Sequence, residues 1–189
     1  MYQIRWHGRG GQGAVTAARI FGIAASVYGD SYAQSFPAFG AERRGAPVLS
    51  FTKVDSAPIL DRSQIYEPNL VVVLDKTLLK LTDVTAGLKP GGIIVINASE
   101  LPEELKAEAI SDKYEVVVVN ATRIALEILG RPITNTAMLG AACQASGLVG
   151  TQAIKNAITE VFAGNREDIN ILTAKRAYEE AELYRKEGV

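Results

Sequence analysis

The fold of this 189-residue chain is decided by residues 2–16, which read YQIRWHGRGGQGAVT. They predict a strand over residues 2–7, a glycine-rich turn, and a helix from Gly13 to about Val27, ended by Gly29. A strand that passes through such a turn into a helix is typical of the first unit of an α/β fold.

The rest of the chain continues this alternation. Continuous apolar runs at residues 69–74, 93–96 and 114–119 predict parallel strands that are buried on both faces. Helices are expected over 76–86, 101–109, 122–129, 135–146, 151–163 and from 168 onward, the last with a stripe at Ile171, Ala174, Tyr178, Ala181 and Tyr184. We therefore predict one three-layer α/β domain over residues 1–189, with a mostly parallel central sheet and a helical C-terminal third.

Two segments near the N terminus have weaker patterns. Residues 31–46 mix aromatic residues, prolines and charges without a period, which indicates a long loop with a short strand around residues 32–34. Residues 48–54 alternate between apolar and polar side chains, which predicts a half-exposed strand, antiparallel at a sheet edge.

Polar residues follow the predicted central strands. Asp75, Asn97 and Asn120 each come after a buried run, where each can cap the next helix. The sole histidine, His7, is expected to cap the end of the first strand or to contact a ligand. Open α/β sheets bind ligands at the carboxyl ends of their strands, so we expect a site at this edge.

Composition excludes several functional classes. Twenty Lys and Arg residues against 21 Asp and Glu residues give a net charge of −1, which does not favour nucleic acid as a partner. One cysteine, Cys143, cannot form an internal disulfide or hold an iron–sulfur cluster, and no catalytic or metal site is predicted. No signal peptide is visible and no apolar run reaches the ~20 residues of a membrane span, so we expect a cytoplasmic protein without membrane contact.

The glycine-rich turn is the first candidate site. Gly8, Gly10 and Gly13 match G-x-G-x-x-G between a strand and a helix, where free amides and the helix dipole attract an anion. The acidic residue that binds ribose in nicotinamide sites is missing, because Asp30 precedes the next segment instead of ending a strand. A Walker A motif is absent as well. The pattern leaves open a phosphate site and a turn needed only for packing.

The second candidate site is the loop that contains Arg43 and Arg44. Paired arginines beside glycines and aromatic residues suit bidentate anion recognition or a protein interface. A solvated charge pair fits the composition equally well.

Both candidate segments together carry a resemblance. Residues 5–18 (RWHGRGGQGAVTAA) and 36–48 (FPAFGAERRGAPV) resemble the gamma subunit of pyruvate:ferredoxin oxidoreductases, within the wider family of 2-oxoacid:acceptor oxidoreductases. Residues 132–141 (PITNTAMLGA) resemble a later helix start of the same family, so the resemblance spans nearly the whole chain. The arginine loop is similar to members that act on pyruvate and branched-chain 2-oxoacids.

The resemblance implies a multi-subunit enzyme of which this chain is a non-catalytic part. Such complexes oxidise a 2-oxoacid on thiamine diphosphate, pass two electrons through iron–sulfur clusters to ferredoxin, and transfer the acyl group to coenzyme A (CoA). The implied partners are the alpha, beta and delta subunits, which hold the thiamine diphosphate and the clusters. By itself the chain is expected to bind no cofactor, and a homodimer is the expected state of the isolated chain.

The role of this subunit follows from the two candidate segments. We expect the turn residues and the two arginines to help bind CoA in the complex; these are Gly8, Arg9, Gly10, Gly11, Gln12, Gly13, Arg43 and Arg44. The same segments could instead dock the alpha and beta subunits. From the residues alone, a stand-alone Rossmann-like nucleotide-binding domain is the alternative.

Overall fold

A computed structural model describes residues 1–38, 44–110 and 113–184. The strands are β1 (Tyr2–Arg9), β2 (Tyr32–Pro37), β3 (Pro47–Asp55), β4 (Leu70–Val73), β5 (Ile93–Asn97), β6 (Glu115–Val119) and β7 (Glu182–Tyr184). The α-helices are α1 (Ala14–Ser26), α2 (Lys106–Ile110), α3 (Ala121–Leu129), α4 (Asn135–Ser146), α5 (Thr151–Phe162) and α6 (Glu167–Glu180). Two short 3₁₀ helices cover Lys76–Lys80 and Glu103–Leu105.

All seven strands form one sheet in the order β2-β3-β1-β4-β5-β6-β7. The central strands β1, β4, β5 and β6 are parallel, whereas β3 is antiparallel to both β1 and β2, and β7 is antiparallel to β6. The predicted fold class is confirmed: an α/β domain with a mainly parallel sheet core and a helical C-terminal third.

The two faces of the sheet are covered differently. On one face, α1 and α3–α6 pack over an apolar cluster that contains Ile4, Trp6 and Met138. On the other face, short helices and loops cover a smaller cluster that contains Val73 and Ile96. Because side chains alternate along a strand, Arg5 and His7 of β1 face this thinner layer. Among the described residues, no helix is both long and apolar enough to cross a membrane.

The crossover helix predicted over residues 76–86 is wrong. Only the 3₁₀ helix at Lys76–Lys80 forms, and turns follow. Asp83 accepts hydrogen bonds from the amide and hydroxyl of Thr85, which favours a turn over a helix. The buried Arg5 guanidinium donates hydrogen bonds to the carbonyl oxygens of Val84 and Ala86, at 2.9 and 2.7 Å.

The predictions for residues 31–54 need two corrections. The supposed loop contains a six-residue strand, β2, which forms the sheet edge. β3 is antiparallel as predicted, but it lies inside the sheet and most of it is buried. Two of its buried polar residues have partners: Thr52 accepts a hydrogen bond from the Trp6 indole, and the Lys53 ammonium lies 2.6 Å from the Asp61 carboxylate.

The end of the chain also differs from the prediction. The last helix ends at Glu180, and Tyr184 lies on β7 instead of continuing the helical stripe. His7 does not cap a strand end, because β1 continues to Arg9. The residue lies between β3 and β4 in the sheet, and its imidazole is buried.

Two of the three predicted caps are confirmed. Asp75 accepts a hydrogen bond from the Thr77 amide, and Asn120 accepts one from the Arg123 amide at the start of α3. Asn97 does not cap the helix that follows it in the sequence. Its amide group donates to the Leu74 carbonyl and accepts from the Thr122 amide, so it ties the ends of neighbouring strands together.

Candidate functional site

The candidate site lies at the carboxyl ends of β1 and β4. These two strands are adjacent and parallel, but the chain leaves β1 toward β2 and β3 on one side of the sheet and returns to β4 on the other side. Such a reversal opens a crevice between the loops that leave the two strands. The glycine-rich turn, residues 8–13, leads from β1 to α1 at this crevice.

The glycine-rich turn and the arginine loop are in direct contact. The Gly10 amide donates to the Ala46 carbonyl at 2.9 Å, and the Gly45 amide donates to the Gly10 carbonyl at 3.0 Å. Gly10 and Arg44 thereby form a parallel bridge, and the Arg44 side chain is exposed. Arg43 lies outside the described residues.

Arg9 organises this crevice instead of facing solvent. Its Nε donates to the Asp75 carboxylate at 2.9 Å, and its two terminal nitrogens donate to the Gly45 carbonyl and the Thr77 hydroxyl at 3.0 and 2.7 Å. Gln12 is fixed in the same way, since it accepts from the Arg9 amide and donates to Asp75. These two side chains hold the turn in place.

Asp75 is the acceptor on which this network depends. Burial alone would raise the pKa of its carboxyl group, but the hydrogen bonds from Thr77, Gln12 and Arg9 outweigh burial and lower it. Asp75 is therefore ionised at neutral pH and balances the charge of Arg9. The sequence pattern identified Asp75 only as a helix cap, because its pairing with Arg9 spans 66 residues.

The glycines of the turn serve different purposes. A Cβ on Gly8 would lie 2.9 Å from the Ala14 Cβ, so this glycine allows α1 to approach β1 closely. Gly11 and Gly13 have φ angles of +93° and +80°, which side chains rarely adopt. Space around Gly11 is open, whereas a Cβ on Gly13 would lie 2.6 Å from the side-chain Nδ2 of Asn135.

The N terminus of α1 opens onto the same crevice. Gly13 occupies the capping position without a side chain, and the first turn carries no acidic residue. The amides of a first helical turn have no partner within the helix and attract an anion. Of the predicted residues, Gly11, Gly13 and Arg44 can therefore face a ligand, whereas Gly8, Arg9, Gly10 and Gln12 build the support.

In a dinucleotide-binding fold, a parallel strand beside β1 ends in the acidic residue that binds the adenine ribose. Here the antiparallel strand β3 occupies that place in the sheet. Asp30 precedes β2, which runs in the same direction as β1. It therefore lies at the amino ends of these strands, whereas the glycine turn lies at the carboxyl end of β1. A nicotinamide site therefore has no support among the described residues.

The two chemically reactive side chains are both buried. Burial raises the pKa of the Cys143 thiol, which keeps it protonated and unreactive. Burial and the neighbouring Arg5 lower the pKa of His7 to about 3, and its Nε2 accepts a hydrogen bond from Arg5. Neither Cys143 nor His7 is therefore available as a nucleophile or as a proton carrier at neutral pH.

Comparisons with known proteins find relatives over nearly the whole chain. A subunit described as the common gamma subunit of pyruvate/ketoisovalerate oxidoreductases, from Pyrococcus furiosus, is 51% identical over 184 residues, which cover 97% of this chain and 99% of that protein. Subunit PorC of pyruvate synthase from Methanothermobacter thermautotrophicus is 48% identical over 185 residues, 98% of each chain. The crystal structure of the pyruvate oxidoreductase subunit PORC from Thermotoga maritima superposes with a TM-score of 0.81 at 36% identity, over 96% of this chain and 97% of that one.

The family assignment follows from the length over which these similarities hold. The model of the pyruvate ferredoxin/flavodoxin oxidoreductase family matches residues 3–180, which include both candidate segments and every helix. The chain belongs to the pyruvate ferredoxin/flavodoxin oxidoreductase family.

Proposed function

We propose that this chain is the gamma subunit of a multi-subunit 2-oxoacid:ferredoxin oxidoreductase that acts on pyruvate or a branched-chain 2-oxoacid. The complex would convert 2-oxoacid, CoA and oxidised ferredoxin into acyl-CoA, carbon dioxide and reduced ferredoxin. The proposal is supported by about 50% identity to common gamma subunits over nearly their full length.

The redox chemistry belongs to the partner subunits in this proposal. The single cysteine cannot ligate a cluster, and within the described ranges no three His, Cys, Asp or Glu side chains are grouped to hold a metal. Thiamine diphosphate and the iron–sulfur clusters would therefore be held by the alpha, beta and delta subunits. This chain would contribute to assembly and to the path of CoA.

The contact between the glycine turn and the arginine loop carries the CoA part of the proposal. CoA bears a pyrophosphate and a 3′-phosphate, and it needs cationic groups and free amides at one place. The crevice offers the exposed Arg44, the open backbone at Gly11 and the first turn of α1. Arg9 supports this surface through Asp75 and Gly45.

The test is the double substitution Arg43→Ala with Arg44→Ala in the assembled complex. Losing two guanidinium contacts to phosphate should raise the KM for CoA about tenfold or more, while the rate at saturating CoA and the KM for the 2-oxoacid stay unchanged. The effect should diminish at high salt, because exposed charges are screened.

A matched control removes two exposed positive charges elsewhere. Lys155→Ala with Lys175→Ala changes the outer surface of α5 and α6 and should leave the KM for CoA unchanged. If the arginine variant keeps normal CoA kinetics but loses subunits on gel filtration, the loop is a docking element and the CoA role is refuted.

A further inference from the structure

We propose that the edge strand β2 docks the chain to its complex by pairing with an extended, acidic strand of a partner subunit. The inference deepens the function above and rests on it for the existence of a partner. The partner strand is defined by its chemistry: main-chain groups that pair with Ala33 and Ser35, and a carboxylate that pairs with Arg62.

The free side of β2 carries main-chain groups without partners. The Ala38 amide donates to the Leu49 carbonyl at 2.9 Å, so in this register residues 32, 34 and 36 bond β3. The main-chain groups of Ala33 and Ser35 therefore point away from the sheet. Because β2 is the last strand of the sheet, these groups bond no other strand among the described residues. They offer two N–H and two C=O groups to an added strand.

β2 is held from both faces of the sheet, so this edge is already formed. On the helical face, the Ser35 hydroxyl donates to the Ala18 carbonyl of α1 at 2.8 Å. On the thinner face, the Gln34 carboxamide donates to the Ile59 carbonyl at 2.8 Å. A strand that is fixed in advance loses little entropy when a partner pairs with it.

Pro37 limits the strands that can pair with this edge. Its main chain points outward like that of Ala33 and Ser35, but it has no N–H to donate. Proline on an edge strand prevents open-ended pairing between sheets. The usable edge is therefore short, which favours one specific partner strand.

A groove beside β2 indicates the charge of that partner. Its volume is about 360 Å³, and its lining residues are Gln34, Ser35, Phe36 and Arg62. Arg62 is exposed and forms no ion pair with a described residue, whereas the neighbouring Asp61 carboxylate is already paired with Lys53. The free charge at the groove is thus positive, and it matches an Asp or Glu side chain on the added strand.

A second copy of this chain fits the edge less well. Two β2 strands could pair antiparallel about a two-fold axis, which would leave both Arg62 side chains on the same face of the joined sheet. Because Arg62 lines the groove together with Ser35 and Phe36, the two charges would lie close to the axis and repel. An acidic strand neutralises Arg62 instead.

Ala33→Pro removes one outward N–H and no hydrogen bond within the chain. Since Pro37 already occupies an outward position of β2, the melting temperature of the isolated chain should stay close to the native value. The apparent dissociation constant of the chain from the complex, measured by gel filtration at decreasing concentration, should rise about tenfold. Ala33→Gly keeps the N–H and should dissociate like the native chain. Equal dissociation of the two variants would overturn the proposal.

Arg62→Glu tests the charge of the partner strand. The reversal should raise the same dissociation constant at least about threefold at low salt, and the effect should shrink at high salt. Lys155→Glu reverses an exposed charge on α5 and should have no effect. An Arg62→Glu variant that stays in the complex as firmly as the native chain would show that the partner strand is not acidic.

Hydrogen exchange read residue by residue tests the pairing directly. In the free chain the amides of Gln34 and Phe36, which bond β3, should exchange slowly, and those of Ala33 and Ser35 should exchange fast. In the complex the latter two should slow at least about tenfold. Fast exchange in an intact complex would overturn the docking role and leave the proposed function standing, whereas a chain that joins no complex would refute both. Slow exchange in the isolated chain together with a dimeric mass would mean that a second copy covers β2 and that the inference is wrong.

Discussion

Individual side chains at the crevice are divided between support and contact. Arg9 and Gln12 carry the chemistry expected of ligand residues, but their polar groups are bonded to Asp75, Thr77 and Gly45. The groups that remain open are main-chain amides and the side chain of Arg44. Removing Arg9 should therefore disturb the shape of the turn as well as its charge.

Gly13 should tolerate a side chain less well than Gly11. Both have positive φ angles, so alanine at either position costs about 1 kcal/mol or more in backbone strain. Only at Gly13 does the new Cβ also overlap the buried Asn135 side chain. In urea unfolding, Gly13→Ala should lower the free energy of unfolding clearly more than Gly11→Ala, and equal losses would show that Asn135 moves aside freely.

His7 should make stability depend on pH in one direction. Its pKa in the folded chain is about 3, below the ordinary value of 6.5, so the unfolded chain binds the proton more tightly. Its contribution is complete above pH 6.5 and is lost as the pH falls from 6.5 toward 3, by up to about 1.4 kcal/mol per pH unit.

Two measurements check this pH dependence. Because His7 is the sole histidine, its imidazole NMR signals are assigned without ambiguity, and they should not titrate between pH 8 and pH 5. The variant His7→Gln should lose less stability over this range than the native chain. A titration midpoint near 6.5 would contradict the buried, neutral state.

At the scale of elements, the helices of the C-terminal third are packed by small residues. A Cβ on Gly140 of α4 would overlap the carbonyl oxygen of Ala174 on α6. Since α4 and α6 both belong to the layer over the sheet, Gly140→Ala should separate them and lower the free energy of unfolding by about 2 kcal/mol or more.

The control for this prediction is Gly150→Ala at the start of α5. Gly150 has ordinary φ and ψ angles, and a Cβ added there would meet open space, so the substitution should cost only the loss of a favoured N-cap residue, about 0.5–1 kcal/mol. Thermal and urea unfolding of both variants test the difference. A similar small loss in the two variants would mean that α6 adjusts its position without penalty.

At the scale of elements, local sequence patterns predict correctly those strands and helices whose burial in the fold matches the pattern. The continuous valine and isoleucine runs of β4, β5 and β6 are buried as expected, because parallel strands have cover on both faces. The helix expected after β4 does not form. Instead, Arg5, which is distant in sequence, donates hydrogen bonds to carbonyl oxygens of this segment. The prediction that β3 is half-exposed is wrong because polar residues such as Lys53 are buried, and the Lys53 ammonium reaches the Asp61 carboxylate.

The candidate site is predicted only in part from the sequence, because local patterns do not show contacts between distant residues. The glycine pattern and the paired arginines indicated two segments of interest, and the bridge between Gly10 and Arg44 brings them together. The pairing of Arg9 with Asp75 spans 66 residues and the contact of Gly13 with Asn135 spans about 120, which no local spacing reveals. Pairing between distant residues thus decides which polar groups remain free for a ligand.

At the scale of the whole molecule, the two faces of the sheet suggest how the subunit is used. Five helices cover one face, whereas short helices and loops cover the other, and Leu60 and Tyr66 are 89% and 72% exposed in the segment between β3 and β4. Single exposed apolar side chains are ordinary on a protein surface, but several in one segment make that segment a candidate for contact with a partner subunit. Replacing Leu60 with Ser should leave the melting temperature of the chain unchanged but reduce its retention in the complex several-fold, as measured by gel filtration.

The most direct test of the central claim is to purify a tagged copy of this chain from its own cells without oxygen, and to assay the preparation. The account predicts that larger subunits with thiamine diphosphate and iron co-purify, and that the preparation reduces ferredoxin when a 2-oxoacid and CoA are both present. Recovery of the chain alone, with tight binding of NAD or ATP and no such activity, would contradict the assignment and favour a stand-alone nucleotide-binding domain.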